Sequence, residues 1–381
     1  MTLEELDNLA KDHYYSLRME DALRCYATVF TSFPKLALAY NNYGNIMREI
    51  GNPRQAFGFL QNAIDLDPDN KDYPFNMAIA HLMAENFPEA WDKFESRWKF
   101  KQHEHYLDMY EKPRWEGQSL EGKRLLITCE EGDGDNMQFA RFTKLLEKMG
   151  ATVIHQTEPN IVRLFETSFK KAIIIGNREP APEYDYWTPI LSIPRVIRMT
   201  YDNIPSCNNY LKIDKKTDKF WKDLLGEKQK PRIGFCWGGR TKQYSFEHMF
   251  KLIKDNPQYQ WVSLQGTMTD EQAMFLTKEN VTSYFGHITD WYDTAGLVSN
   301  LDMVLSIDTG LTHLAGGLGV PCCLLLDRYT TCWRWRLEHE DSVWYPSVKI
   351  FRQKEAHGQV EQLERVQDYI AKKIDPEGSI L

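Results

Sequence analysis

Residues 301–321 read LDMVLSIDTGLTHLAGGLGVP. Met303–Ile307 is a continuous apolar run of strand length, and Asp308-Thr309-Gly310 interrupts it with turn residues. From Leu311 the apolar positions follow a helical spacing. Gly319 stops that helix, and Val320-Pro321 leads into a second apolar run, Cys322–Leu326. Strand, tight turn, helix, strand is the repeating unit of a parallel sheet. The small residues at the turn are predicted to leave the first N–H groups of the helix open toward the carboxyl end of the strand. A helix start of that kind suits a diphosphate. Thr309 and Thr312 are expected to add hydroxyl donors there. Gly316 and Gly317 are expected to let the helix lie close on its sheet.

The same alternation runs outward from this segment. Upstream, strands are predicted at Arg232–Trp237, Gln260–Gln265 and Thr282–Phe285, with helices at Phe246–Asp255, Asp270–Lys278 and Asp290–Ser299. Earlier still, strands at Arg124–Cys129, Ala151–His155 and Ala172–Ile175 alternate with helices at Asn136–Met149 and Asn160–Ser168. A charged linker is expected at Lys212–Asp218. The expectation is two doubly wound lobes, 120–215 and 228–355, with a cleft at the carboxyl ends of both sheets. Residues 356–381 form a last helix, Val360–Ile374, and a tail.

The amino-terminal part follows a different rule. Ala22, Ala56 and Ala90 recur at about 34 residues. Ala10, Gly44 and Ala78 keep the same register, as do the large residues Tyr26, Leu60 and Phe94, and Pro34 and Pro68 close the first two units. Small residues where paired helices cross, large ones wedged between them and proline at the exit resemble tetratricopeptide (TPR) repeats over about residues 3–104. Three helix pairs are expected within 1–110. Asn8, Asn42 and Asn76 share the spacing. In a TPR array they fall on the concave side, where amides can bond an extended peptide; they can equally satisfy neighbouring backbone groups.

Composition bounds the rest. A formal charge of −8 argues against general affinity for nucleic acid or anionic membrane, although a modified base as acceptor stays open. The odd number of cysteines, 7, without metal-ligand spacing, fits a reducing compartment. The acidic, helical start and the lack of a long apolar run point to a cytoplasmic chain without a membrane span.

The 301–321 segment resembles the donor-binding segment of bacterial heptosyltransferases, the glycosyltransferase family 9 group with a GT-B fold. Two further sets of residues resemble bacterial and viral TPR–glycosyltransferase fusions. They are Trp115-Glu116-Gly117 with Glu130–Asp135 and Gln138–Arg141, and Trp333-Arg334-Trp335 with Asp341–Pro346 and Phe351-Arg352-Gln353. The resemblance implies a fold of class α + α/β: a TPR α-solenoid followed by GT-B, two Rossmann-like lobes with the acceptor on the first and a nucleotide-diphosphate sugar on the second. It implies Asp135, in the pair Gly134-Asp135, as the catalytic base. It also implies donor binding by Asp308, Thr309, Gly310, Leu311, Thr312 and His313, with Lys242 and Arg240 supplying positive charge. Gln265, His287, Arg334 and Gly134 are expected contacts of nucleotide or acceptor. Asp135 can alternatively stabilise the start of the next helix. Asp133-Gly134-Asp135 also spells the Asp-x-Asp of metal-dependent transferases, but in a different fold, so neither a metal nor a cofactor is expected. The loop Gly238–Lys242 is shorter than in the fusions, and Asp327-Arg328-Tyr329 replaces a more apolar stretch, so sugar and base preference do not carry over. The partners implied are a nucleotide sugar and an acceptor protein or peptide on the TPR groove. The competing readings are an inactive scaffold with a remnant GT-B part and a sugar-nucleotide epimerase.

Overall fold

The computed structural model describes residues 1–100, 106–205, 209–239, 243–329 and 332–374. It divides into two compact units. The first holds Met1–Glu111 with Ser192–Ile204 and Asp327–His339; the second holds Lys112–Leu191, Pro205–Leu326 and Glu340–Leu381.

The amino-terminal part of the first unit runs α1 (Leu3–Tyr15), α2 (Met19–Ser32), α3 (Ala37–Glu49), α4 (Pro53–Leu66), α5 (Asp72–Met83) and α6 (Phe87–Phe94). Thr2 and Glu5 start α1 with reciprocal bonds: Glu5 N–H to Thr2 Oγ1 at 3.2 Å and Thr2 N–H to Glu5 Oε2 at 2.8 Å. Proline in the first turn starts α4 and α6. The small positions do what the spacing requires. Ala10, Ala22, Ala56, Ala78 and Ala90 are wholly buried, and a Cβ on Gly44 would come within 2.8 Å of Leu60 Cγ. Two later segments join these helices through specific bonds. Trp91 Nε1 donates to the Met199 carbonyl at 2.8 Å, Arg97 Nη2 to Ser192 Oγ at 2.7 Å, and Arg336 pairs with Glu85 at 2.8 Å. The lobe ranges 120–215 and 228–355 read from the sequence contain these two segments.

The second unit carries two parallel sheets. The first part runs β1 (Arg124–Thr128), α7 (Asp133–Phe139), α8 (Phe142–Lys148), β2 (Thr152–Thr157), α9 (Val162–Ser168), β3 (Ile173–Gly176) and β4 (Tyr186–Pro189). Its strand order is β3-β2-β1-β4. The short helix α10 (Ile193–Val196) belongs to the first unit. There follow α11 (Lys215–Leu225), β5 (Arg232–Cys236), α12 (Phe246–Asp255), β6 (Gln260–Ser263), α13 (Asp270–Lys278), β7 (Thr282–Ser283) and α14 (Trp291–Val298). The chain then runs β8 (Met303–Ile307), α15 (Gly310–Leu318), β9 (Cys322–Leu326), β10 (Val348–Arg352) and α16 (Gln359–Ile374). These strands form a six-stranded sheet, β10-β9-β8-β5-β6-β7.

Three sequence expectations need correction, and two strands were not expected. The helix expected over Asn136–Met149 starts earlier, at Asp133, and divides at Ala140–Arg141. There the buried Arg141 donates from Nε to the Gln138 carbonyl and from Nη1 to the Trp344 carbonyl, both at 2.8 Å. Lys212–Asp218 is no linker: Asp214 accepts the Thr217 N–H at 2.7 Å and caps α11, whose Trp221 and Leu225 are buried. Strands β4 and β10 carry no clear alternation and are seen only in the fold. Gly316 and Gly317 face side chains more than sheet: a Cβ on either would run into the Tyr345 ring or Leu211. Among the described residues no helix is long and apolar enough to cross a membrane.

Candidate functional site

The six-stranded sheet reverses direction between β5 and β8. From β5 the chain winds to β6 and β7, and from β8 to β9 and β10. Loops leaving the carboxyl ends of β5 and β8 therefore diverge and leave a crevice, the usual place for a ligand in such sheets. A cavity of about 440 Å³ lies there, a volume suited to a small molecule. Cys236 lines it from the end of β5 and Gly238 and Gly239 from the loop that follows, Ser263 from the end of β6 and Leu264–Gly266 beyond it, and Thr309, Gly310 and Leu311 after β8. Phe285, Ile288–Trp291 and Thr294 form a wall, and Asn160 comes from the four-stranded side.

Gln265 shapes one side of the cavity. Its Oε1 accepts the N–H of Gly238 at 2.9 Å and of Trp237 at 3.2 Å, and the Cys236 thiol at 3.2 Å. Burial pushes that thiol up to about 11, so it stays protonated. Beside Gln265, a Cβ on Gly266 would lie 3.2 Å from Phe285 Cε2. Phe285 is half exposed and presents a ring at the cavity wall. Asp290 starts α14, its Oδ1 accepting the N–H of Tyr292 at 2.8 Å and of Asp293 at 3.1 Å.

At the start of α15 the backbone is extended at Thr309, and no side chain caps the helix. The amides of Gly310 and Leu311 belong to the first turn and have no intrahelical acceptor. They lie where the cavity touches Thr309–Leu311. Thr309 Oγ1 lies 3.3 Å from Ser306 Oγ. Thr312 does not line the cavity: its buried hydroxyl donates to the Ile307 carbonyl at 3.0 Å, tying the helix to β8. Asp308 is half-buried. His313 is buried, with Nδ1 2.9 Å from the Tyr345 hydroxyl.

The first turns of α7 and α15 meet through two glycines. A Cβ on Gly134 would lie 3.2 Å from Gly310 Cα and 2.9 Å from His313 Cδ2. Asp133 Oδ2 accepts Trp291 Nε1–H at 2.7 Å and Asn160 Nδ2–H at 2.8 Å. Asp135 is half-buried, and its Oδ2 accepts the Gly132 N–H at 3.3 Å, a bond that stabilises the start of α7. Arg163 of α9 pairs with Asp293 at 2.8 Å and Asp290 at 3.2 Å. Burial works to raise Asp293, but the bonds from Thr289 and Arg163 outweigh it and hold its carboxyl below the usual range.

The other expected residues fall elsewhere. His287 is exposed and does not line the cavity, although its neighbours Phe285 and Ile288 do. Arg334 is in the first unit, its guanidinium 4.6 Å from the Trp333 ring centroid. Arg240 and Lys242 lie outside the described residues. The asparagines form a chain different from the 34-residue ladder. Asn42 Nδ2 donates to Tyr26 Oη at 3.1 Å, Asn41 Nδ2 to Asn42 Oδ1 at 3.2 Å, and Asn76 Nδ2 to Asn41 Oδ1 at 2.9 Å, while Asn8 is exposed. Asn41 thus links two of the three. Sequence reasoning missed Asn160, Phe285, Asp290 and Trp291 as cavity residues. The available signal was Asp290-Trp291 itself, a capping aspartate and a large aromatic at the mouth of a strand–helix turn.

No known protein-family profile matches the chain. Protein FlbA of Caulobacter vibrioides is 25% identical over 416 residues, covering 92% of this chain and 69% of the relative. A glycosyl transferase family 9 structure from Veillonella parvula is similar with a TM-score of 0.48 and 12% identity, covering 68% of this chain and 99% of the other. The E. coli ADP-heptose lps heptosyltransferase II is similar with a TM-score of 0.48 and 13% identity, covering 67% of this chain and 100% of the other.

Proposed function

We propose that this chain is a glycosyltransferase that takes its sugar from a nucleotide diphosphate. The single observation that carries the reading is the cavity at the sheet's switch point, set against the uncapped start of α15. The amides of Gly310 and Leu311 and the positive end of the helix dipole suit a diphosphate, and a leaving diphosphate needs such charge. Thr309 adds a hydroxyl. Phe285 offers a ring and Gln265 a shaped edge for the base. Lys242 and Arg240, on sequence grounds, supply the remaining positive charge from the loop after β5. Asp308 and His313 serve as supports of the helix start.

In this reading the two sheets are the lobes of a GT-B enzyme and the six amino-terminal helices a TPR solenoid whose groove receives an acceptor protein or peptide. Asp135 takes the proton of the acceptor hydroxyl as the sugar moves. No metal and no further cofactor take part, and the protein works in the cytoplasm. A second reading, an inactive scaffold, is favoured by one observation: the Asp135 carboxylate already serves its own helix through Gly132. A thermal-shift panel of ADP, GDP, UDP and their sugars tests the proposal, since a ligand of the folded state raises its melting temperature. One nucleoside diphosphate is expected to stabilise the protein well beyond its nucleoside. No response to any of them would refute donor binding.

A further inference from the structure

His313 is held from two sides. On one, Nδ1 lies 2.9 Å from the Tyr345 hydroxyl. On the other, a Cβ on Gly134 would come within 2.9 Å of Cδ2, the carbon bonded to Nε2. The Cδ2 edge of the ring therefore faces the first turn of α7, the turn that also carries Asp135. Tyr345 is itself fixed. It is wholly buried, its ring lies on the α15 backbone where any Cβ on Gly316 would overlap it, and the Arg141 guanidinium stands 4.7 Å from its ring centroid. A hydrogen bond between two enclosed polar groups persists because breaking it leaves both desolvated.

We propose that Tyr345 is a positioning residue for sugar transfer, holding the His313 ring in one orientation with its Cδ2 edge against the Gly134–Asp135 turn; this rests on the transferase reading above. Tyr345 does not line the cavity. Its hydroxyl can donate to or accept from Nδ1, so the bond fixes the orientation of the ring in either tautomer. A ring fixed in this way keeps the turn bearing Asp135 in place while the acceptor proton moves onto the carboxylate, and small displacements of reacting groups are costly in rate. Gly134 is required by the same arrangement, since the imidazole occupies the space its side chain would take.

Tyr345→Phe keeps the ring over Gly316 and removes only the oxygen. Two readouts are needed on histidine-labelled protein. Ring ¹³C and ¹⁵N relaxation should show a rigid His313 ring in the wild type and a mobile one in Y345F. Release of nucleoside diphosphate from ADP-, GDP- and UDP-sugars into water should fall about ten- to a hundred-fold, with affinity for the diphosphate itself within about two-fold. Wild-type turnover in Y345F, or a His313 ring already mobile in the wild type, overturns the proposal. Should Y345F not fold, His313→Asn keeps an amide near the Nδ1 position and deletes the Cδ2 edge. It should lose turnover to a similar degree, and unchanged turnover there overturns the proposal as well. A wild type that releases no diphosphate from any donor overturns the transferase reading first, and this role with it.

Discussion

The indole N–H of Trp291 donates to Asp133 Oδ2 at 2.7 Å, and Asn160 Nδ2 donates to the same oxygen at 2.8 Å. This joins the first turn of α14 to the first turn of α7. Trp291 also closes over the start of α15, where a Cβ on Gly310 would lie 3.1 Å from its ring. One aromatic side chain thus sets both the closeness of the two sheets' loops and the roof over the α15 amides.

Trp291→Phe removes the donor and shortens the ring. A hydrogen bond to a charged group contributes about 1.5–3 kcal/mol. Urea denaturation should show a loss of that order, and calorimetry should show weaker binding of nucleoside diphosphate. Unchanged affinity would mean that the roof does not bear on the ligand.

Gly316→Ala places a methyl group into the Tyr345 ring. Overpacking of this kind costs about 1–3 kcal/mol. A lowered melting temperature is expected, together with the mobile His313 ring of Y345F. A stable variant with a rigid ring would show that Tyr345 has room to move.

His155 is wholly buried in β2, with Nδ1 3.1 Å from Thr143 Oγ1, and burial lowers its pKa to about 3. The unfolded chain takes up this proton near pH 6.5 and the folded chain only near 3. Stability is therefore intact above pH 6.5 and falls as pH drops toward 3, by about 1.4 kcal/mol per pH unit for one proton. His155→Gln should flatten that limb of the pH–stability curve relative to wild type. Parallel curves would contradict the buried neutral imidazole.

The segment 301–321 was legible because apolar run, turn and helical spacing agreed, and β8 and β9 have the predicted bounds. The repeat register was legible for the same reason: alanine and glycine recur wherever helices cross. What stayed hidden depends on distant partners. Arg141 breaks a helix because it reaches the Trp344 carbonyl, far along the chain. Thr312 is directed inward by the Ile307 carbonyl, which spacing alone does not reveal. Trp291 reads as any core aromatic until Asp133 is placed beside it. Asn41 joins the amide chain while Asn8 is exposed, which the repeat spacing alone does not reveal.

Asp135→Asn preserves shape but removes the ability to accept a proton. Release of diphosphate from the preferred nucleotide sugar should fall about 100-fold or more, with donor affinity nearly intact. Chelator should leave the wild type active. A full rate in the variant would assign Asp135 to the start of α7 alone, and loss of wild-type activity in chelator would overturn the metal-free reading.

Binding of a diphosphate at the open start of α15 is decided by Thr309→Asp. An aspartate at this position caps the first amides with its own carboxylate, which favours the helix, and repels an incoming anion. Calorimetric titration of wild type and variant should use the nucleoside diphosphate found to bind and its parent nucleoside. The variant is expected to melt no lower than the wild type and to lose diphosphate binding by about 100-fold or more, while nucleoside binding changes little. Equal diphosphate affinity in the two proteins would contradict binding there.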